Sequence, residues 1–237
     1  MDRISPSEAC ITMGGNNMLK TAINYILWRL GLRKILPKKI VSRVVVTGSS
    51  ESVVEVLETT RLKISKSCPQ APTLRFSVAG LLEKSARNLP EGYSLVLFEG
   101  FRPLSRQQFL WDNQYEKIKK ENPGLPQGEL ERRTRIFVAK PDASSGGHQT
   151  GAAVDVTLGN QNGEELFLGT KMHEFSPATA TDAKNISDEA KKLRAILLTA
   201  MRSAGFVNYP GEWWHFSYGD KLWAAYSRRK ECRFGPV

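Results

Sequence analysis

One run constrains this chain more than any other: Gly146-Gly147-His148-Gln149-Thr150-Gly151-Ala152-Ala153-Val154-Asp155-Val156-Thr157-Leu158. Its second half alternates small or polar residues with branched apolar ones. Side chains on a strand point alternately to its two faces, so Ala153, Asp155 and Thr157 share one face while Val154, Val156 and Leu158 turn to a core. A strand over Ala152–Leu158 thus presents a carboxylate beside an alanine small enough to leave room for something to approach it. The glycines at 146, 147 and 151 make a loop ahead of the strand. They free the backbone to fold His148 back over the strand end.

A second run, Gly211-Glu212-Trp213-Trp214-His215-Phe216, lies far downstream. Together the two runs hold two of the chain's three histidines and two carboxylates. Two imidazoles and one carboxylate suit Zn2+ with a fourth position left to water, and the remaining carboxylate is free to act as a base. In Glu-x-x-His on a regular strand the two side chains face opposite ways. A shared site therefore needs a bend or bulge, which Pro210-Gly211 makes available. Glu212 then stands beside the water as general base, and later as proton donor to a leaving amine. Trp213, Trp214 and Phe216 supply an apolar wall that strengthens charges in the pocket. Arg102, at a strand end and locked by Pro103, is placed to steady an oxyanion or to hold a substrate carboxylate. Each piece has a plainer reading: a histidine in a turn, a tryptophan pair in the core, a structural ion pair. Spacing alone leaves both open. His173 reads as a surface residue or one packed behind a ligand.

The rest of the chain reads as mixed strands and helices without regular βαβ alternation or internal repeat, which predicts an α+β fold with helices on a central antiparallel sheet. Residues 1–17 read as disordered. Val41–Thr47 reads as a strand, and residues 48–76 resist placement. Val78, Leu81, Leu82 and Ala86 mark a helix ended near Pro90. Tyr93–Phe98 is a second strand. Ser105, with Gln108 as its capping-box partner, predicts a helix to about Lys120. Glu129–Ala139 predicts another. Residues 159–187 form a long irregular stretch of the kind that often carries function. Asp188 is the expected cap of a helix whose face is Ala190, Leu193, Ile196, Leu197, Ala200 and Met201, ended by Gly205. Trp213–Tyr218 is the last strand.

The net charge of +10 sits at the ends: residues 1–43 carry +6, residues 228–237 carry +3, and the body carries +1. That distribution argues against a nucleic-acid groove across the core, which needs clustered charge on the folded surface. Leu19, Ala22, Ile23, Ile26, Leu27 and Leu30 mark one face of a helix from Met18 to about Leu32. Arg29 interrupts it as a secretory core, and it is too short to span a membrane. It reads as a helix packed on the body, with a weak membrane-surface contact through residues 18–39 as the alternative. The division expected is a basic extension over 1–40 and a catalytic domain over 41–237. Three widely spread cysteines with no Cys-x-x-Cys fit a reducing compartment, so the expected location is the cytoplasm, with a periplasmic or membrane-associated one as the alternative.

At these residues the chain resembles the zinc D-alanyl-D-alanine dipeptidases, the VanX-type branch of the D,D-peptidases. The resemblance is carried by His148-x6-Asp155 with Gly151 and Ala153, by Glu212-Trp213-Trp214-His215, by Pro90-Glu91-Gly92-Tyr93-Ser94-Leu95 through Arg102-Pro103, and by Gly205-Phe206-Val207-Asn208-Tyr209. It implies one Zn2+ per chain held by His148, Asp155 and His215, Glu212 as base and Arg102 as transition-state stabiliser. It implies hydrolysis of the D-Ala-D-Ala dipeptide to free D-alanine by a metal-activated water, with the dipeptide as small-molecule partner. The chain departs from the family in having Gly146 where a serine is usual, with Ser144 and Ser145 shifted earlier. It has Glu99-Gly100-Phe101-Arg102-Pro103 in place of Asp-x-Tyr-Arg-Pro, and Met172-His173 in place of an aromatic and Asp. Ser145, Glu174 and Trp214 are the candidate substrate contacts, Glu174 for the substrate ammonium. The rivals are a D,D-carboxypeptidase trimming longer peptidoglycan peptides and a non-catalytic zinc-containing binding protein. The intact Glu212 argues against the latter.

Overall fold

The structure, a computed structural model, describes residues 6–48, 51–141, 146–174 and 176–237, with side chains from residue 17 onward. Its centre is a five-stranded sheet in the order β3 (Leu62–Ile64), β5 (Ser94–Glu99), β6 (Ala153–Gly159), β8 (His215–Ser217) and β7 (Val207–Asn208). The pair β3·β5 is parallel and the other three pairings are antiparallel, so the sheet is mixed where a wholly antiparallel one was expected. The α+β class itself stands.

β6 is flanked on both sides, and all seven of its residues are buried. Val154, Val156 and Leu158 enter one core with Leu95 and Leu97 of β5, Val78, Leu82 and Ala86 of α3 (Phe76–Arg87), and Leu193, Leu197 and Met201 of α6 (Asp188–Ser203). The spacing of those helical residues makes one apolar face on each helix, and burial of that face holds the helix on the sheet. α4 (Leu104–Glu121) and α5 (Gln127–Phe137) pack on each other. A smaller core gathers Leu36, Val44, Ala224, Ala225 and Cys232 around α2 (Lys38–Ser42) and α7 (Lys221–Tyr226). There β1 (Val45–Val46) pairs with β9 (Glu231–Cys232) in parallel. β2 (Val53–Glu55) pairs with β4 (Thr73–Arg75) in antiparallel fashion.

Several local expectations change. The strand expected over Val41–Thr47 shrinks to Val45–Val46, because α2 takes Val41. Three short strands occupy the unplaced stretch 48–76. α4 starts from Pro103 with no side-chain cap, so Ser105 lies inside the helix. Ser187, not Asp188, caps α6, its hydroxyl accepting from the Ala190 amide at 3.1 Å. α1 runs Pro6–Arg29, starting well ahead of Met18, in a stretch expected to be disordered. It meets the body through Trp28, whose ring lies 6.0 Å from Tyr226, while Leu19, Ile23, Ile26 and Leu30 face outward. Of the stripe read from sequence, Leu27 is partly buried and those four are exposed, so the helix meets the body mainly through its aromatic side.

Candidate active site

Strand register assembles the site. Asp155 lies opposite His215 of β8 on one side and Glu99 of β5 on the other. The second pairing depends on a register shift between Leu97 and Glu99, a bulge that lets Glu99 stand against Asp155. Asp155 is 1% exposed, as a carboxylate can be only where cations or donors surround it.

His148 reaches Asp155 from the glycine loop. It opens a 3-10 turn, His148–Thr150, and Gly151 at φ +68° swings the chain from that turn into β6. Gly147 has no room for a side chain, since a Cβ there would lie 2.7 Å from Asp220 Oδ2. The His148 ring is fixed by its Nδ1, 2.8 Å from the Gly100 carbonyl. A carbonyl only accepts, so Nδ1 carries a proton, and Nε2 is the ring nitrogen turned to the site, 3.3 Å from Asp155 Oδ1. The Arg102 amide donates back to the His148 carbonyl at 3.1 Å, which laces the two loops together.

The bend required between Glu212 and His215 is present. Trp213 and Trp214 form a turn, and the His215 amide donates to the Glu212 carbonyl at 3.3 Å. His215 Nδ1 lies 3.0 Å from Asp155 Oδ1, and the His148 and His215 rings meet edge to face at 5.0 Å. Burial pushes the Glu212 carboxyl above its ordinary range; His215 opposes that and Asp155 reinforces it. Burial also acts to raise Asp155, but the histidines around it, His148 foremost, outweigh this and hold it well below the carboxylate range. Burial acts to lower His215, yet its bond to Asp155 raises it on balance.

Arg102 is held rather than free. Its guanidinium grips Glu99 through Nε at 2.9 Å and through Nη2, and its Nη1 donates to Gln107 Oε1 at 2.9 Å. Nη2 stands 4.0 Å from Asp155 Oδ2. That same oxygen lies 2.9 Å from His173 Nε2. His173 has φ +56°, and its ring sits between Phe98 at 5.0 Å and Trp214 at 5.8 Å. Asp155 thus has two differently served oxygens, Oδ1 toward His148 and His215, Oδ2 toward His173 and Arg102.

His148, Asp155, Glu212, His215 and Arg102 come together as the sequence suggested. Of the candidate substrate contacts, Glu174 and Trp214 do not. Ser145 lies outside the described residues. Glu174 is exposed and turns back to accept from the Lys171 amide at 3.2 Å, so His173 and not Glu174 faces the centre. Trp214 is 1% exposed and backs His173 from the core, where it offers a substrate no surface. Sequence reasoning missed Glu99, whose signal was its place three residues before Arg102 in one motif. It also missed Gln107, which carried no signal.

The three donors fit a zinc ion. Ligands about 2.0–2.2 Å from a tetrahedral Zn2+ stand roughly 3.3 Å from one another. His148 Nε2 and His215 Nδ1 lie 3.3 and 3.0 Å from Asp155 Oδ1, and all three donors lie within 4.8 Å. Two imidazole nitrogens and one carboxylate oxygen converging in a buried pocket, with a second carboxylate close by, define a metallohydrolase-type centre on an α+β scaffold. The family model described as D-ala-D-ala dipeptidase matches residues 72–233, and the chain belongs to that family.

Among its relatives, the D-alanyl-D-alanine dipeptidase of Synechocystis is 33% identical over 177 residues, covering 64% of this chain and 71% of the relative. That of Enterococcus faecalis is 33% identical over 136 residues, covering 55% and 64%. Among solved structures, VanYB in complex with D-alanine-D-alanine overlaps 79% of this chain and 93% of its own at 16% identity and a TM-score of 0.43. The D,D-dipeptidase VanXYg with a D-Ala-D-Ala phosphinate analog overlaps 77% and 65% at 19% identity and a TM-score of 0.38.

Proposed function

We propose that this chain hydrolyses the D-Ala-D-Ala dipeptide to free D-alanine, using one Zn2+ held by His148, Asp155 and His215. The observation that carries the proposal is the convergence of those three donors beside Glu212, in a chain whose family match spans the whole site. The ion, when bound, supplies Lewis acidity to the scissile carbonyl and to a water molecule.

The chain's own residues do the rest. The Gly100 carbonyl fixes His148 in the tautomer whose Nε2 can ligate. Glu212, raised by burial, takes a proton from the attacking water and returns it to the amine nitrogen as the peptide C–N bond breaks. Arg102 donates to the oxyanion that develops on the carbonyl oxygen. Glu99 and Gln107 hold the guanidinium before substrate arrives, so no reorganisation is needed during the reaction. The buried Trp213 and Trp214 keep water from the back of the pocket. In this reading residues 41–237 form the hydrolase, and residues 1–40 take no part in the chemistry. A membrane-surface contact through residues 18–39 is a separate property of the chain. We also propose a cytoplasmic site of action, supported by the dispersed cysteines, of which Cys68 and Cys232 are unpaired.

The test is D-alanine release from D-Ala-D-Ala by zinc-loaded protein, run beside Glu212→Gln and beside an N-acetylated tripeptide ending in D-Ala-D-Ala. The expected result is release from the dipeptide, with loss of about 10²–10⁴-fold in kcat in the variant. Release from the blocked tripeptide at an equal rate would identify a D,D-carboxypeptidase instead. Zinc binding without release from either substrate would sink the enzymatic reading.

A further inference from the structure

We propose that α1 docks the protein on an anionic lipid surface, lying in the plane of the interface with Leu19, Ile23, Ile26 and Leu30 against the lipid. The proposal goes beyond the hydrolytic reading and does not depend on it.

The helix has two unlike faces. Trp28 meets Tyr226 edge-on at 6.0 Å, lies under the Arg228 guanidinium at 5.6 Å and stacks with Tyr25 at 5.9 Å. Thr21, Tyr25 and Trp28, at i, i+4 and i+7, are its partly buried side. At 3.6 residues per turn, Leu19, Ile23, Ile26 and Leu30 fall roughly 160° from that side. They are 61, 47, 55 and 67% exposed. Single exposed aliphatic residues are ordinary, but a continuous strip of them marks a surface that something covers.

Charge selects the occupant. Residues 18–43 contain seven Lys and Arg and no Asp or Glu. Lys20 and Arg29 flank the strip, and Lys38 and Lys39 follow it. None of these four has an ion pair among the described residues, whereas Lys34 is tied to Asp182. Two copies of a face with one sign of charge repel each other, and an acid-free helix end is poorly matched to a basic protein. A layer of anionic headgroups over acyl chains satisfies both parts: the aliphatic strip enters the acyl boundary while the flanking cations stay at the phosphates. No helix among the described residues is long and apolar enough to cross a membrane, so the attachment is interfacial and reversible. Because the docked side faces away from the lipid, the helix binds without leaving Tyr226.

The experiment is co-sedimentation of the full-length, zinc-loaded protein with phosphatidylcholine vesicles, with and without phosphatidylglycerol. The same preparations are assayed for dipeptide hydrolysis and run in sedimentation velocity. Binding is expected only to the anionic vesicles. The double variant Ile23→Gln, Ile26→Gln should weaken partition roughly tenfold or more through lost apolar burial. Lys20→Gln and Arg29→Gln should each weaken it roughly fivefold. Both sets should leave hydrolysis in solution at the parent level, which separates this proposal from the fate of the hydrolytic one. Equal partition by parent and strip variant, or equal binding to both kinds of vesicle, would overturn it. So would a parent dimer that the strip variant converts to monomer, since a second copy would then be what covers the face.

Discussion

His173 is the residue whose role changes most between sequence and structure. It occupies Asp155 Oδ2, leaving Oδ1 to the His148–His215 side, and so favours one-oxygen ligation by the carboxylate. His173→Ala should therefore weaken zinc binding by about 10–100-fold, the usual effect of losing a partner behind a metal ligand. Competition against a chromophoric chelator measures it, and unchanged affinity would mean that His173 merely fills space. Glu99 makes the second residue-scale prediction. Burial acts to raise its carboxyl, but the hydrogen bond and charge of Arg102 outweigh that and lower it. A depressed carboxylate contributes stability that is fully present above its unfolded pKa, about 4.3, and is lost as pH falls through the folded value. Glu99→Gln also strands a buried guanidinium, at a cost of about 3–5 kcal/mol near neutrality. The gap in thermal midpoint between parent and variant should be widest near pH 7 and should close as pH falls below about 4. A gap independent of pH would contradict the pairing.

At the scale of elements, the stretch 159–187 has little regular structure, yet it carries His173 to the centre. Arg194 of α6 explains how. It is 3% exposed and donates to the carbonyls of Leu168, Ala180 and Ala178 at 2.7, 2.7 and 2.9 Å, with its guanidinium 5.5 Å from the Trp213 ring. One helical side chain thus satisfies three backbone acceptors of a loop that lacks a ladder of its own. Burial lowers its pKa to about 10, which leaves it charged at neutral pH. Arg194→Met keeps the volume but leaves those acceptors unsatisfied. It should cost about 3 kcal/mol in denaturant unfolding and should raise hydrogen exchange across 168–180 more than across β5 and β6. Uniform exchange throughout would show that the loop is held by other means.

For the molecule as a whole, the metal is expected to be part of the fold's stability. Its three donors come from the glycine loop, the central strand and the last strand of the sheet, so occupancy ties together segments distant in sequence. At a free zinc concentration of 1,000 times Kd, binding adds about 4 kcal/mol. Removing zinc with a chelator should lower the thermal midpoint, and re-addition should restore it. Asp155→Asn should show a much smaller response. An equal chelator response in that variant would place the stabilising ion elsewhere.

The central strand was legible because alternation along Ala152–Leu158 has a period only a half-polar, half-core strand satisfies. The pairing of His148 with Asp155, and the bend between Glu212 and His215, followed from local chemistry: glycines that permit a fold-back, and a strand geometry that forbids both side chains on one face. The faces of α3 and α6 were legible for the same reason. Tertiary structure decided what depended on partners. The bulge that sets Glu99 across from Asp155 is a property of two strands in register. The loop that carries His173 inward is tied on either side of its turn by Arg194, a residue of another element, at Leu168, Ala178 and Ala180. The outward face of α1 was decided by Trp28 finding Tyr226, an aromatic contact between the two ends of the chain that outcompeted the aliphatic stripe for the body. Periodicity reports which residues share a face; only the assembled molecule determines which face meets the core.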